Sequence, residues 1–182
     1  MKREFEDDEP AKLAVPVNNR DHIQGPREAR LTLVEYGDYE CPACGEAYPM
    51  VKTVQSALGN RLRFVFRNFP LTNVHPHAEH AAEAAEAADA ARRFWEMHDV
   101  LFENQDALDD EDIAQLAMEL GLDAREIIAE VETGAHRDRI IQDFRSGVRS
   151  GVGGTPTFFI NGIRHDGPWD AETLVSELTA KS

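Results

Sequence analysis

Hydrophobic and polar positions follow one period in some stretches of the chain and another in the next, and the changes mark its elements. Leu31–Tyr36 alternates, with Leu31, Leu33 and Glu35 on one face of a strand and Thr32, Val34 and Tyr36 on the other; a strand buried on both faces reads the same way. Ala47, Val51, Val54 and Leu58 then recur at helical spacing until Gly59, and Pro42 stands where the first helical residue belongs, giving up no needed hydrogen bond. Arg61–Arg67 alternates again, with Leu62, Phe64 and Phe66 inward and Asn68–Pro70 ending the run. A strand, helix and strand of this size predict a right-handed parallel crossover.

From Pro76 the period is helical. His77–Ala91 is rich in alanine, Arg92–Phe102 continues after a break, and Asp109–Asp112 caps a helix whose stripe is Ile113, Leu116, Ala117 and Leu120. Asp123–Thr133 and His136–Val148 repeat the pattern, the latter predicted to bury Ile140, Ile141, Phe144 and Val148. Gly151–Pro156 ends the helices, Thr157–Ile160 and Ile163–His165 flank the two-residue turn Asn161-Gly162 of a hairpin, and Asp170–Ala180 closes with a helix. The pattern predicts an α/β chain with residues 21–74 and 149–182 as one unit and 75–148 as an inserted all-helical subdomain. Residues 1–20 read as a mobile acidic tail, extended near Leu13–Val17.

Composition narrows the function. The 182 residues are 42% hydrophobic, enough for a real core, and carry a formal charge of −15, which argues against nonspecific binding to nucleic acid or anionic membrane. No stretch reaches the length of a transmembrane helix, so no membrane insertion is expected. The opening Lys2–Pro10 is charged and holds no apolar run, and the cysteine usage suits a reducing compartment, so the expected location is cytoplasmic.

The chemistry is concentrated in Cys41-Pro-Ala-Cys44, which holds the only two cysteines and falls where the first long helix begins. Residues three apart at a helix start lie within disulfide range, and the unpaired N–H groups and positive dipole end there stabilise a thiolate. Such a thiol has its pKa lowered from about 8.5 into the range of about 3.5–7.5, which marks Cys41 as a nucleophile. A zinc knuckle is the competing reading, with His75 and His80 as the further ligands; the thirty residues between them and Cys44 exceed the usual finger interval. The dithiol reading calls for no metal and no cofactor.

Val34–Cys44 together with Gly154-Thr-Pro-Thr-Phe-Phe-Ile-Asn-Gly162 resembles the DsbA-like thiol–disulfide oxidoreductases, over about residues 21–180. His75-Pro-His-Ala78 and Phe94-Trp-Glu-Met-His-Asp99 resemble the subgroup found both as stand-alone proteins and fused to sodium/proton antiporters. The resemblance implies a thioredoxin fold with a helical insertion and an enzyme that exchanges disulfides with protein or peptide substrates, served by a separate redox partner. It implies that Cys41 attacks and a buried Cys44 resolves, that Glu35 is a buried acid that helps deprotonate Cys44, and that Thr155-Pro156 is a cis-proline loop lying against the pair. Pro42, Ala43, Thr155 and Pro156 would then line the groove that takes substrate, with the extended Thr155 backbone pairing to a bound peptide.

The chain departs from strongly oxidising relatives at Ala43, where they carry histidine. Asp38, Glu40 and Glu46 are expected to raise the thiol pKa further, making the disulfide less oxidising and favouring the reductase or isomerase direction. A non-catalytic module that docks a peptide or partner in the groove by Pro156 is the alternative from another class.

Overall fold

The alternation read from the sequence becomes the strands of a single mixed sheet. In the computed structural model, which describes residues 9–181, the strands among the described residues are β1 (His22–Gln24), β2 (Leu31–Gly37), β3 (Leu62–Asn68), β4 (Thr157–Ile160) and β5 (Ile163–His165), in the order β1-β3-β2-β4-β5. β2 and β3 are parallel and joined by α1 (Pro42–Leu58), as the crossover rule requires; the other neighbours are antiparallel. The remaining helices are α2 (Ala78–Asp89), α3 (Phe94–Glu103), α4 (Asp110–Glu119), α5 (Ala124–Thr133), α6 (Arg137–Arg149) and α7 (Ala171–Ala180). This is a thioredoxin fold with helices inserted between β3 and β4.

Both faces of β2 are buried. On one face Leu31 and Leu33 join Leu62, Phe64, Phe66, Phe158 and Ile160 in a core closed by α1, α7 and the inserted helices. Glu35 shares that face, because residues two apart in a strand point the same way. The other face carries Val34, Tyr36, Val65 and Phe159, with Leu13, Val17 and Phe144 packed against them.

Three readings of the sequence need correction. α6 packs on β3 and covers this second face, so a helix read as part of the 75–148 insertion completes the sheet layer instead. Its buried residues are Ile140, Asp143, Ser146 and Gly147, whereas Ile141 and Phe144 are half-buried and Val148 is 55% exposed. The reason is that the sheet offers α6 polar groups: Tyr36 Oη lies 2.7 Å from Ser146 Oγ, and the Asn68 N–H donates to Asp143 Oδ2 at 3.0 Å. Gly147 lets the rings approach, since a Cβ there would sit 2.7 Å from Phe69.

The third correction concerns the tail. Residues 1–8 lie outside the described residues, but Leu13 N donates to Gly162 O at 2.9 Å and Arg164 N to Ala11 O at 2.7 Å, so the chain from Ala11 lines the edge of β5. Arg67 Nη1 reaches the carbonyl of Val15 at 2.9 Å and fastens the next residues. The Arg67 guanidinium also grips Asp21 with two bonds of 2.8 and 2.9 Å in a buried pair. Burial opposes the Arg67 charge, but Asp21 and Tyr36 outweigh it and hold the pKa above its ordinary value.

The inserted block is organised around α2, whose alanines 81, 82, 84, 85, 87 and 88 are buried on nearly every side and let α3 and α5 approach closely. The break between α2 and α3 contains Arg92 at φ 58. Among the described residues no helix is long and apolar enough to cross a membrane.

Candidate active site

β2 leads straight into the cysteines. Cys41 occupies the N-cap of α1 in extended conformation, with Pro42 in the first helical turn, as the spacing requires. Cys41 is 6% exposed and Cys44 fully buried, both as free thiols. Pro42 is exposed and Ala43 half-buried beside them. The loop before β4 comes against Cys41: the Thr155–Pro156 peptide bond is cis, and the Cys41 thiol donates to the Thr155 carbonyl at 3.4 Å. Thr155 and Pro156 are half-buried, and Thr155 Oγ1 is buried with no hydrogen-bond partner among the described residues.

This setting separates the two thiols. A hydrogen bond from Cys44 is the largest influence on Cys41; burial opposes it, and the Thr155 side chain and the backbone N–H groups of Cys44 and Ala43 add to it, bringing the pKa down to about 5. The net direction is therefore down, against the expectation that Asp38, Glu40 and Glu46 would leave this thiol raised. Donors at the helix start outweigh the carboxylates, each of which has another partner or solvent: Asp38 is bonded to His75 Nδ1 at 2.8 Å, Glu40 to His77 Nδ1 at 2.9 Å, and Glu46 is exposed. Cys44 moves the other way, because burial, its bond to Cys41 and the nearby charges of Glu35 and Cys41 all favour the neutral thiol.

Glu35 is 2% exposed, set between Phe66 and Phe158 on the neighbouring strands, and its Oε1 has no hydrogen-bond partner among the described residues. Burial, then the Cys41 charge, push its pKa up to about 8. Of the histidines weighed as zinc ligands, His75 is taken by Asp38 and His80 by Asp110 at 2.6 Å.

Sequence reasoning missed Gln105, just beyond α3. Its Nε2 donates to the carbonyls of Tyr39 at 2.8 Å and Cys41 at 2.9 Å, clamping the turn that presents the nucleophile. Gly45 leaves room for it, since a Cβ there would lie 1.9 Å from Gln105 Oε1. A lone glutamine in a loop gives no sequence signal; the glycine in the first turn of α1 was the one available clue. Tyr39 is further fixed by His98, whose Nδ1 is 3.0 Å from the phenol oxygen and whose pKa burial holds well below its ordinary value.

A central parallel crossover, a Cys-x-x-Cys pair at the start of its helix and a proline loop against the first sulfur define a thioredoxin-fold protein with a dithiol at its helix start. The thioredoxin family model matches residues 17–180, and the chain belongs to that family. Curated relatives include the Na(+)/H(+) antiporter NhaA 3 of Salinispora tropica, 48% identical over 89% of this chain and 25% of that protein. The Na(+)/H(+) antiporter NhaA 1 of Mycolicibacterium vanbaalenii is 41% identical over 93% of this chain and 28% of that protein. The chain thus spans about a quarter of the length of these relatives.

Among solved structures, oxidised BdbD from Bacillus subtilis is similar with a TM-score of 0.83 at 20% identity, covering 94% of this chain and 98% of that one. The thiol-disulfide exchange protein alpha-DsbA2 from Wolbachia pipientis gives 0.77 at 20% identity, with 91% and 89% covered. These likenesses establish the fold, including the helical insertion of the DsbA-like group.

Proposed function

We propose that this chain is a thiol–disulfide oxidoreductase that exchanges disulfides with protein or peptide substrates. The observation that carries the reading is geometric: Cys41 at the N-cap of α1 against the cis Thr155–Pro156 loop, with Cys44 buried one turn on, and the two thiol pKa values move apart accordingly, Cys41 down to about 5 and Cys44 up. The Cys41 thiolate attacks a substrate disulfide, forming a mixed disulfide and displacing one substrate thiolate. Cys44 then loses its proton and attacks Cys41 Sγ, which forms the Cys41–Cys44 disulfide and releases the second substrate thiolate. Two electrons pass to the substrate, and a separate dithiol partner returns the pair to its reduced form.

Glu35 supplies the proton route in this scheme. Its raised pKa rests partly on the Cys41 charge, which disappears when the mixed disulfide forms. With that charge gone Glu35 ionises more readily, its proton passing to solvent, and as a carboxylate it accepts the proton of Cys44. Pro42, Ala43, Thr155 and Pro156 border the sulfur and take the substrate backbone as an added strand.

A thiol pKa of about 5 lies between those of DsbA and thioredoxin, about 3.5 and 7, and is consistent with a potential between theirs, at about −150 to −250 mV. In the reducing cytoplasm we propose for it, the pair is held mainly as thiols and works in the reductase or isomerase direction. Insulin reduction tests the reading: the wild type accelerates precipitation of the released B chain and Cys41→Ser does not. A wild type without effect would favour a non-catalytic docking module on the same fold.

A further inference from the structure

The turn ahead of Cys41 raises a question that the thiol-exchange reading leaves open. Asp38 precedes the nucleophile by three residues, its side chain is 0% exposed, and its backbone carbonyl accepts the Cys41 N–H at 3.2 Å. A buried carboxylate so placed should oppose a neighbouring thiolate. Its position is fixed, since Oδ1 accepts the Glu40 N–H at 2.8 Å and Oδ2 accepts the Leu71 N–H at 2.8 Å. The remaining partner is His75 Nδ1, also 2.8 Å from Oδ2.

We infer that His75 is a positioning residue for the Cys41 nucleophile, an imidazolium seated on Asp38 that cancels the carboxylate and so lets the thiolate persist beside it. The inference rests on the reading of Cys41 as the attacking thiol. It assigns to the inserted block the cation that the Cys-x-x-Cys motif lacks at Ala43. The groups that face His75 fit that charge. Burial pulls its pKa down, but Asp38, then the Cys41 thiolate and Glu40, more than reverse the effect and leave it above its ordinary value. His77, two residues along the same loop, is engaged separately: its N–H and Nδ1 both bond Glu40, at 2.6 and 2.9 Å. Both acids of the turn are thus met by histidines from one loop, and the half-buried His75 meets the buried acid whose carbonyl accepts the Cys41 N–H.

The charge of His75, rather than its hydrogen bond, is what the inference requires. His75→Asn keeps a neutral N–H donor near the Nδ1 position and removes the cation. Titration of thiolate absorbance at 240 nm should then show Cys41 as an acid about tenfold weaker, with about fivefold less thiolate at pH 5. Removing both charges, in Asp38→Asn with His75→Asn, should return the titration close to that of the wild type.

A second measurement needs no change at the Asp38–His75 pair. Linkage is reciprocal, so Cys41→Ser should lower the pKa of the His75 ring, followed by NMR, by the same factor. Overlapping thiol titrations for the wild type and His75→Asn, or a His75 titration unmoved by Cys41→Ser, would overturn the inference. Neither readout uses turnover: a protein that fails to reduce insulin refutes the exchange reading, whereas one that reduces insulin with an unmoved thiol titration refutes only the role of His75.

Discussion

Lowering the pH from 7 to 5.5 should separate Cys41 from an ordinary thiol far more than any comparison at neutral pH. With a pKa of about 5, Cys41 is nearly all thiolate at pH 7 and about three-quarters thiolate at pH 5.5. A free cysteine with a pKa of about 8.5 is about 3% and 0.1% thiolate at those two values. A weaker base is also a weaker nucleophile, and a Brønsted slope of about 0.45 makes each Cys41 thiolate about fortyfold less reactive. The two factors nearly cancel at pH 7, where the rates should agree within about twofold; at pH 5.5 Cys41 should be about twentyfold faster. The assay is reaction with a small aromatic dipyridyl disulfide under stopped flow, followed from pH 4 to 9. Cys44→Ser, which keeps a hydroxyl donor, isolates the first attack, and Cys44→Ala removes the donor that is the largest influence on Cys41. The inflection should stay near pH 5 with serine and move up with alanine. An inflection at or above pH 7 in the wild type would refute the electrostatic account, and coincident serine and alanine profiles would refute the part assigned to Cys44.

Three further outcomes are expected. Glu35 has a folded pKa of about 8, above its unfolded value, so its contribution to stability is complete below about pH 4.5 and is lost as the pH rises toward 8. That loss is on the order of 4 kcal/mol, and urea unfolding of Glu35→Gln from pH 5 to 8 should show a correspondingly flatter profile than the wild type. Gly147→Ala drives a Cβ to 2.7 Å from the Phe69 ring and 3.0 Å from Tyr36, so it should lower the urea midpoint by an amount equivalent to about 1–3 kcal/mol. Asp21→Ala leaves the Arg67 guanidinium buried without its carboxylate and should cost about 3–5 kcal/mol in the same measurement.

Local signals carried the reading where they were sufficient. Pro42 and Gly59 bracket α1 as they stand in the sequence, Asp109, Asp123 and Asp170 cap the helices they precede, and the alternation of β2 and β3 places Glu35 on the core face. α6 defeated the same method because its buried side answers to tertiary partners. Asp143, Ser146 and Gly147 face the Asn68 N–H, the Tyr36 hydroxyl and the Phe69 ring, and no helical periodicity of apolar residues can report such partners. The segment from Ala11 to Val17 was read as extended from Leu13 but not as docked, for a similar reason, since its partners at Gly162, Arg164, Ser150 and Arg67 lie far along the chain. At the active site the residue types were legible but their charges were not. Asp38 and Glu40 are visible as acids near Cys41, while the histidines that engage them come from the other side of β3.

That last relation changes what the helical insertion is for. Were it an appendage on a self-sufficient thioredoxin unit, the turn from Gly37 to Cys41 would be held by β2, α1 and the proline loop alone. Instead, the carbonyls of Tyr39 and Cys41 are held by Gln105 just beyond α3, and the Tyr39 hydroxyl pairs with His98 within α3. Asp38 is bonded by Leu71 and His75 in the segment that leads into α2. These contacts fix the backbone that presents the sulfur and meet the charge beside it. Those from His75, His98 and Gln105 come from separate places along the insertion, so a movement of that block against the sheet would alter the Cys41 environment at several points together. The insertion thus physically holds the turn that presents the dithiol, and the inferred role of His75 would make the acidity of Cys41 depend on how that block is docked.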